Sequence, residues 1–168
     1  MINHLPEVLA AGVTSLKIEG RMKSAYYVGA VTNAYRHALD AALRGEPVPE
    51  VWRRETEQIS HRPYSTGFYF GEPGQYTSES AYFSGAEVCA VVTGTEQGRP
   101  TLTQRNKFSV GDVLELVTCN HEPVTFTASD LRDAEGTPIE SVPHPLQVFT
   151  MPLPIDAEPL SLVRRKTD

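Results

Sequence analysis

The sequence has little cysteine, with only Cys89 and Cys119 among 168 residues. These two residues form no CxxC motif, which is a spacing typical of zinc sites, redox pairs and iron–sulfur ligands. Free cysteine is among the residue types most often buried in folded proteins. We therefore expect two buried structural thiols, and we predict no metal site and no cofactor in this chain.

Long apolar runs are also missing. No run approaches the roughly 20 residues that a helix needs to cross a bilayer, and residues 1–6 show no basic segment leading into an apolar one. We expect a cytoplasmic protein without a membrane partner.

An excess of positive charge is the third absence. The formal net charge is −6, and residues 81–168 hold 7 basic and 12 acidic groups. An acidic chain has no general attraction for phosphate backbones, so nucleic-acid binding requires a local basic patch.

Residues 1–45 follow the order helix, strand, long helix. Pro6 and Gly12 predict a short helix over 6–11. The run 13–18 predicts a strand of a parallel sheet, and Ser24 caps a long helix that ends at Gly45. One parallel strand has no sheet to join. We therefore expect the end of a β/α barrel, with a missing upstream barrel domain as its partner.

Residues 46–84 form a connector rich in Pro, Gly, Ser and aromatic residues, with one or two helical turns predicted over 51–59. A cluster of aromatic side chains is costly to leave in water. We expect it to anchor the connector between domains through His61, Tyr64, Phe68 and Tyr69.

Residues 85–168 change to short β-prone runs separated by turn residues. The predicted strands are 88–93, 100–104, 112–118, 123–128, 137–140, 147–151 and 160–164. A spacing near 10 residues per strand is typical of small all-β domains. The predicted fold class is α+β, with the last β/α elements of a truncated (β/α) barrel followed by a small antiparallel β-barrel.

The stretch KIEGRMKS over 17–24 places charged residues where the predicted barrel strand ends. Catalytic groups of β/α barrels lie at the carboxyl ends of strands. Glu19 is therefore a candidate acid, base or ligand anchor, and Arg21 is a candidate for binding a substrate carboxylate or phosphate. The alternative is that Glu19, Arg21 and Lys23 form a structural network of ion pairs.

The stretch HRPYSTGFYFG over 61–71 combines an imidazole, two hydroxyl groups and aromatic rings. A Ser65/His61 dyad needs hydrogen-bonding geometry that sequence proximity does not provide. An aromatic contact between domains is the interpretation that we favour.

The stretch RNKF supplies Arg105, Lys107 and Phe108, and a second basic stretch contains Arg164. Together these residues are candidates for binding RNA phosphates while Phe108 stacks on a base. The alternative is a polar hairpin followed by a solvated basic tail.

The stretches KIEGRMKS, HRPYSTGFYFG, RNKF and GD together resemble the carboxy-terminal half of peptidase family U32. The resemblance implies an amino-terminal β/α barrel followed by a small β-barrel. It also implies an iron–sulfur cluster for full-length relatives only, held by four cysteines upstream of this chain. Family members are known as collagenase-like peptidases and as tRNA hydroxylation proteins.

The resemblance therefore implies a carboxy-terminal accessory domain that binds substrate, linked to tRNA hydroxylation. A collagenase-like peptidase, acting as a hydrolase, is one alternative. A purely structural or dimerisation module is another. The expected partners are the upstream barrel, a tRNA or protein substrate and a second copy in a homodimer. Glu19 and Arg21 are the residues that the resemblance places nearest to substrate.

Overall fold

A computed structural model describes residues 1–73, 84–96 and 98–167. It divides the chain into a helical unit, Met1–Gly85, and a sheet unit, Ala86–Asp168. Residues 74–83, which belong to the predicted connector, lie outside the described residues. No helix among the described residues is long and apolar enough to span a membrane.

The helical unit contains a 3₁₀ turn, Ile2–His4, and the helices α1 (Leu5–Ala10), α2 (Ala25–Leu43) and α3 (Glu50–Glu55). Both predicted ends of α2 are confirmed. The Ser24 hydroxyl accepts a hydrogen bond from the Tyr27 backbone N–H at 3.2 Å, which satisfies one of the free donors of the first turn. Gly45 follows the helix at φ +74°, a conformation that glycine adopts without steric cost.

Two small apolar clusters hold these helices together. Residues on one stripe of α2 recur every three or four positions, so they share a face. Ala34 and Ala38 of that stripe pack with Leu5 and Trp52, and Ala30 and Val31 pack with Ile59. The imidazole of His37 stacks on the Trp52 ring, with centroids 3.9 Å apart.

The strand predicted over 13–18 does not form. Residues 13–20 have neither helix nor strand structure. A strand exists only through hydrogen bonds to a neighbouring strand, and the elements of the helical unit are all helices in the part that the structure describes. The β-prone pattern of the segment therefore has nothing to pair with.

The sheet unit is one antiparallel sheet of six strands in the order β4-β3-β6-β1-β2-β5. The strands are β1 (Ala86–Glu96), β2 (Arg99–Gln104), β3 (Val113–Val117), β4 (Val124–Thr127), β5 (Val148–Thr150) and β6 (Leu162–Lys166). Six of the predicted runs thus overlap a strand. The run 137–140 does not, since it makes only an isolated bridge from Pro138 to Arg132.

One apolar core lies on a single face of this sheet and includes Leu102, Leu114, Leu116, Phe149 and Val163. Period-two alternation places these residues on the same side of adjacent strands. In the described pairing, β4 and β5 are edges that bond to one neighbour each. The sheet is therefore open, and the closed β-barrel expected from the sequence is not confirmed.

Candidate functional site

The helical unit contains a groove of about 1170 Å³. Its wall comes from the amino-terminal turn, the irregular segment after α1, one face of α2, the residues after α3 and the aromatic loop. The lining includes Ile2, Val13, Leu16, Ile18, Glu19, Tyr27, Val31, Tyr35, Tyr64, Tyr69 and Phe70.

The segment along one side of the groove is exposed throughout residues 11–19. Its apolar side chains Val13, Leu16 and Ile18 are each about 40% exposed. Large apolar side chains gathered on an exposed surface typically mark an interaction site. The groove therefore has the character of a docking surface.

The structure separates the two candidate barrel-rim residues. Glu19 lines the groove, where Lys17 pairs with it at 3.1 Å between Nζ and Oε2. Arg21 is exposed and does not line the groove. Lys23 donates to the Ser60 carbonyl at 3.2 Å, a contact outside the predicted three-residue ion-pair network.

Tyr64 anchors the aromatic loop to the end of α3. Its hydroxyl donates to the Thr56 carbonyl, and Thr56 in turn donates from its hydroxyl to the Arg53 carbonyl at 2.7 Å. Burial raises the pKa of Tyr64 to about 12 despite that hydrogen bond. The phenol is therefore a neutral structural donor at physiological pH.

His61 is engaged in contacts that a catalytic dyad would not use. Its Nδ1 donates to the Arg62 carbonyl at 2.7 Å, and its ring stacks on Tyr64 with centroids 4.3 Å apart. The Ser65 hydroxyl accepts from the Gly67 backbone N–H at 3.4 Å. These contacts favour a structural role for both side chains.

Of the predicted aromatic anchors, Tyr64 and Tyr69 line the groove and Phe68 does not. Phe68 is 80% exposed and Tyr69 is 75% exposed. The ring of Phe70 lies against His4, with centroids 4.3 Å apart. The loop thus presents two highly exposed aromatic side chains next to the groove.

In the sheet unit, two of the four predicted RNA-binding residues are buried. Phe108 is 1% exposed and packs edge-on against Phe149 in the core, with centroids 5.6 Å apart. Arg164 is also 1% exposed. Neither side chain is available to stack on a base or to meet a phosphate, whereas Arg105 and Lys107 are exposed.

Arg164 is held by a carboxylate that the sequence analysis did not identify. Its Nη2 lies 2.8 Å from Oε2 of Glu115, and Lys166 Nζ lies 2.7 Å from Oε1 of the same group. Burial alone would raise the pKa of Glu115, but the hydrogen bond from Lys166 and the charge of Arg164 outweigh it, so the pKa is lowered. The sequence signal was a lone Glu in the apolar run VLELV.

The cysteines differ in environment. Cys89 is buried, as expected, and burial raises the pKa of its thiol to about 11. Cys119 is exposed, which contradicts the prediction of a second buried thiol. A four-thiolate iron–sulfur cluster needs four cysteines, so the two of this chain do not fit that group by themselves.

Two family profiles match the chain. The profile described as Peptidase family U32 matches residues 1–79. The profile described as Peptidase family U32 C-terminal domain matches residues 85–164. The change of profile falls close to the division between the helical and sheet units.

The chain is similar to curated proteins of greater length. It is 31% identical over 173 residues to tRNA hydroxylation protein P1 of Bacillus subtilis, and the match covers 98% of this chain and 41% of that protein. It is 34% identical over 167 residues to tRNA hydroxylation protein P of Escherichia coli, covering 94% and 36%. A shorter match, 34% identical over 89 residues, covers 51% of this chain and 21% of the collagenase of Porphyromonas gingivalis.

A solved structure also aligns with part of the chain. It is the carboxy-terminal domain of a Geobacillus thermoleovorans protein assigned to the U32 peptidases, 27% identical, with a TM-score of 0.44. The alignment covers 49% of this chain and 93% of that domain.

Proposed function

The chain belongs to peptidase family U32, and from that membership we propose that it acts as the carboxy-terminal part of a tRNA-hydroxylation protein. In this proposal the helical unit completes an upstream β/α barrel. The sheet unit is an accessory domain that binds the RNA substrate.

The observation that carries the proposal is the apolar groove of the helical unit with its exposed segment 11–19. A parallel barrel buries its strands on both faces. The β-prone residues 13–18 would gain backbone partners and cover their apolar side chains if upstream strands lay beside them. The chain spans about two fifths of the length of its tRNA-hydroxylation relatives, which leaves room for such a domain.

Placing Glu19 at the rim of the completed barrel would make it a substrate-facing residue, with Arg21 close by in sequence. Any iron–sulfur cluster would be held by the upstream domain, because it needs more thiolates than this chain has. The helical unit then contributes wall and rim to a site whose other groups lie upstream.

Binding of the purified chain to bulk tRNA tests the proposed function. We expect saturable binding by fluorescence anisotropy at low salt, and weaker binding at moderate salt because phosphate contacts release counterions. An unrelated acidic protein of similar size serves as the control for non-specific adsorption. A chain that binds no tRNA at either salt concentration contradicts the proposal.

Peptidase activity is the second candidate, favoured by the match to a collagenase. A nucleophile and base require the imidazole to bond the hydroxyl, whereas His61 Nδ1 donates to the Arg62 carbonyl and the Ser65 hydroxyl accepts from the Gly67 N–H. Gelatin cleavage by the purified chain, lost in Glu19→Gln, would support the peptidase and count against the accessory role.

A further inference from the structure

Most of the basic residues of the sheet unit lie near one end of its sheet. Strand β6 pairs Lys166 with Ala86 and Arg165 with Glu87 at the start of β1. On the other side of β1, the backbone N–H of Arg105 donates to the Cys89 carbonyl at 2.7 Å. Because β1 lies between β6 and β2, the two basic groups flank it, with their strands roughly 10 Å apart.

The loop that carries Arg105 and Lys107 is fixed to β1 by its central residue. The Asn106 side-chain amide donates to the Val88 carbonyl at 2.8 Å, and its backbone N–H donates to the Cys89 carbonyl at 3.2 Å. The two exposed cations on either side of Asn106 are therefore held next to the end of β6. We call Arg105, Lys107, Arg165 and Lys166 the basic end.

Three carboxylates described near the basic end are each paired with a cation. Arg165 pairs with Glu87 at 2.8 Å and with Asp112 at 3.5 Å. Glu115 is bound by both Arg164 and Lys166. The side chains of Arg105 and Lys107 make no ion pair in the part of the chain that the structure describes.

The positive charges of the sheet unit are therefore unevenly distributed among its described residues. The four residues of the basic end and the buried Arg164 are five of its seven Lys and Arg residues, while the two others, Arg99 and Arg132, both pair with Asp130. The exposed cations of the basic end that carry no ion pair among the described residues are thus Arg105 and Lys107.

The sheet unit has no exposed aromatic side chain among its described residues. Its aromatic residues are Phe108, Phe126 and Phe149, and all three belong to or pack against the core. Proteins that recognise single-stranded RNA stack its bases on aromatic side chains, whereas double-stranded RNA is recognised by shape and by contacts to phosphates and 2′-hydroxyls. A cationic surface without rings fits the second mode.

We propose that the basic end binds the phosphate backbone of an RNA double helix, such as a stem of a structured RNA, and does not read unpaired bases. This inference rests on the proposed function, because it assumes that RNA is the substrate. It assigns the sheet unit to the stem and leaves unpaired nucleotides to other parts of the full-length protein.

The test compares a labelled RNA duplex of about 16 base pairs with one of its strands alone, by anisotropy with the full chain over a series of salt concentrations. We expect the duplex to bind more tightly than the strand. The double variant Arg105→Ala/Lys107→Ala should bind the duplex roughly tenfold more weakly. The slope of the logarithm of its binding constant against the logarithm of salt concentration should become smaller in magnitude by about 1 for each lost phosphate contact.

The matched control is Arg99→Ala/Arg132→Ala, which removes the same charge away from the basic end. It should bind the duplex like the unsubstituted chain, and thermal melting of both variants checks that they fold. Equal losses in the two double variants, or tighter binding of the single strand, would overturn the inference. Binding of tRNA that persists in Arg105→Ala/Lys107→Ala would overturn it and leave the proposed function intact, whereas failure of the unsubstituted chain to bind tRNA or duplex would overturn both.

Discussion

Arg164 is the largest of the fully buried side chains among the described residues, and Glu115 is its carboxylate partner. Removing one partner of a buried ion pair leaves an uncompensated charge out of contact with water, which costs about 3–5 kcal/mol. We expect Glu115→Ala to lower the free energy of unfolding of the sheet unit by this amount, measured by urea denaturation.

Glu87→Ala is the matched control for that substitution. Its partner Arg165 is 38% exposed, and exposed ion pairs contribute about 1 kcal/mol or less. Similar losses of stability in Glu115→Ala and Glu87→Ala would show that burial of Arg164 does not set the cost.

The lowered pKa of Glu115 makes a second prediction, on pH. Because its pKa in the folded protein lies below its ordinary value of 4.5, the unfolded chain takes up the proton first as pH falls. The stabilisation is therefore complete above the ordinary value and is lost as pH falls through the folded pKa. Carboxylates of this kind titrate roughly between pH 5 and pH 3. In that window we expect the urea midpoint of Glu115→Gln to depend less on pH than the urea midpoint of the unsubstituted chain. Equally steep curves would contradict this.

Single residues also show what the sequence could reveal about the candidate site. Arg105 and Lys107 were identifiable because a charged residue in a turn is usually exposed. Phe108 follows directly in the same stretch, yet it is buried because its carbonyl accepts from the Val142 N–H, which brings a distant segment over it. Contacts between residues so far apart in sequence leave no local pattern.

At the scale of elements, the cap of α2 is a local feature with a measurable effect. Ser24→Ala removes the acceptor for the Tyr27 N–H, and loss of such a cap typically costs about 1 kcal/mol. We expect a lower melting temperature by circular dichroism at the helical wavelengths. Ser24→Asp keeps an acceptor at the same position and should melt like the unsubstituted chain, so an equal loss in both variants would argue against capping.

Elements were predictable where their signals are local. The ends of α2 follow from Ser24 and Gly45, and most strands of the sheet follow from short β-prone runs between turns. The segment 13–18 has the same β-prone pattern but forms no strand, because pairing depends on a neighbour and not on the segment itself. The sequence of this segment therefore indicates a preference for a β-strand, but no neighbouring strand pairs with it among the described residues.

At the scale of the whole molecule, the sheet unit has its own continuous core and the helical unit has two small clusters. We expect residues 84–168, produced alone, to unfold in one cooperative transition in urea. Phe149→Ala should lower the free energy of that transition by about 3–5 kcal/mol, because it empties a fully buried site. A gradual, non-cooperative transition would show that the sheet unit depends on the rest of the chain.

The division into two units could be predicted from the change to short β-prone runs near residue 84. Whether the sheet closes into a barrel could not be predicted. Whether edge strands meet depends on the twist and bulges accumulated over all six strands, such as the register shifts in β1 between Val88 and Ala90 and between Val92 and Gly94. Sequence patterns specify which residues face the core and leave this cumulative geometry open.

The exposed segment 11–19 also bears on how long the chain survives in a cell. Lys17 lies within it and Arg21 lies just after it, so trypsin-like proteases find cleavable bonds in backbone that no helix or strand protects. If upstream strands bound this segment, they would shield those bonds. Chains whose segment 11–19 is not bound by upstream strands would then be degraded faster than chains in which it is bound. Proteolysis at this segment would remove incompletely assembled protein.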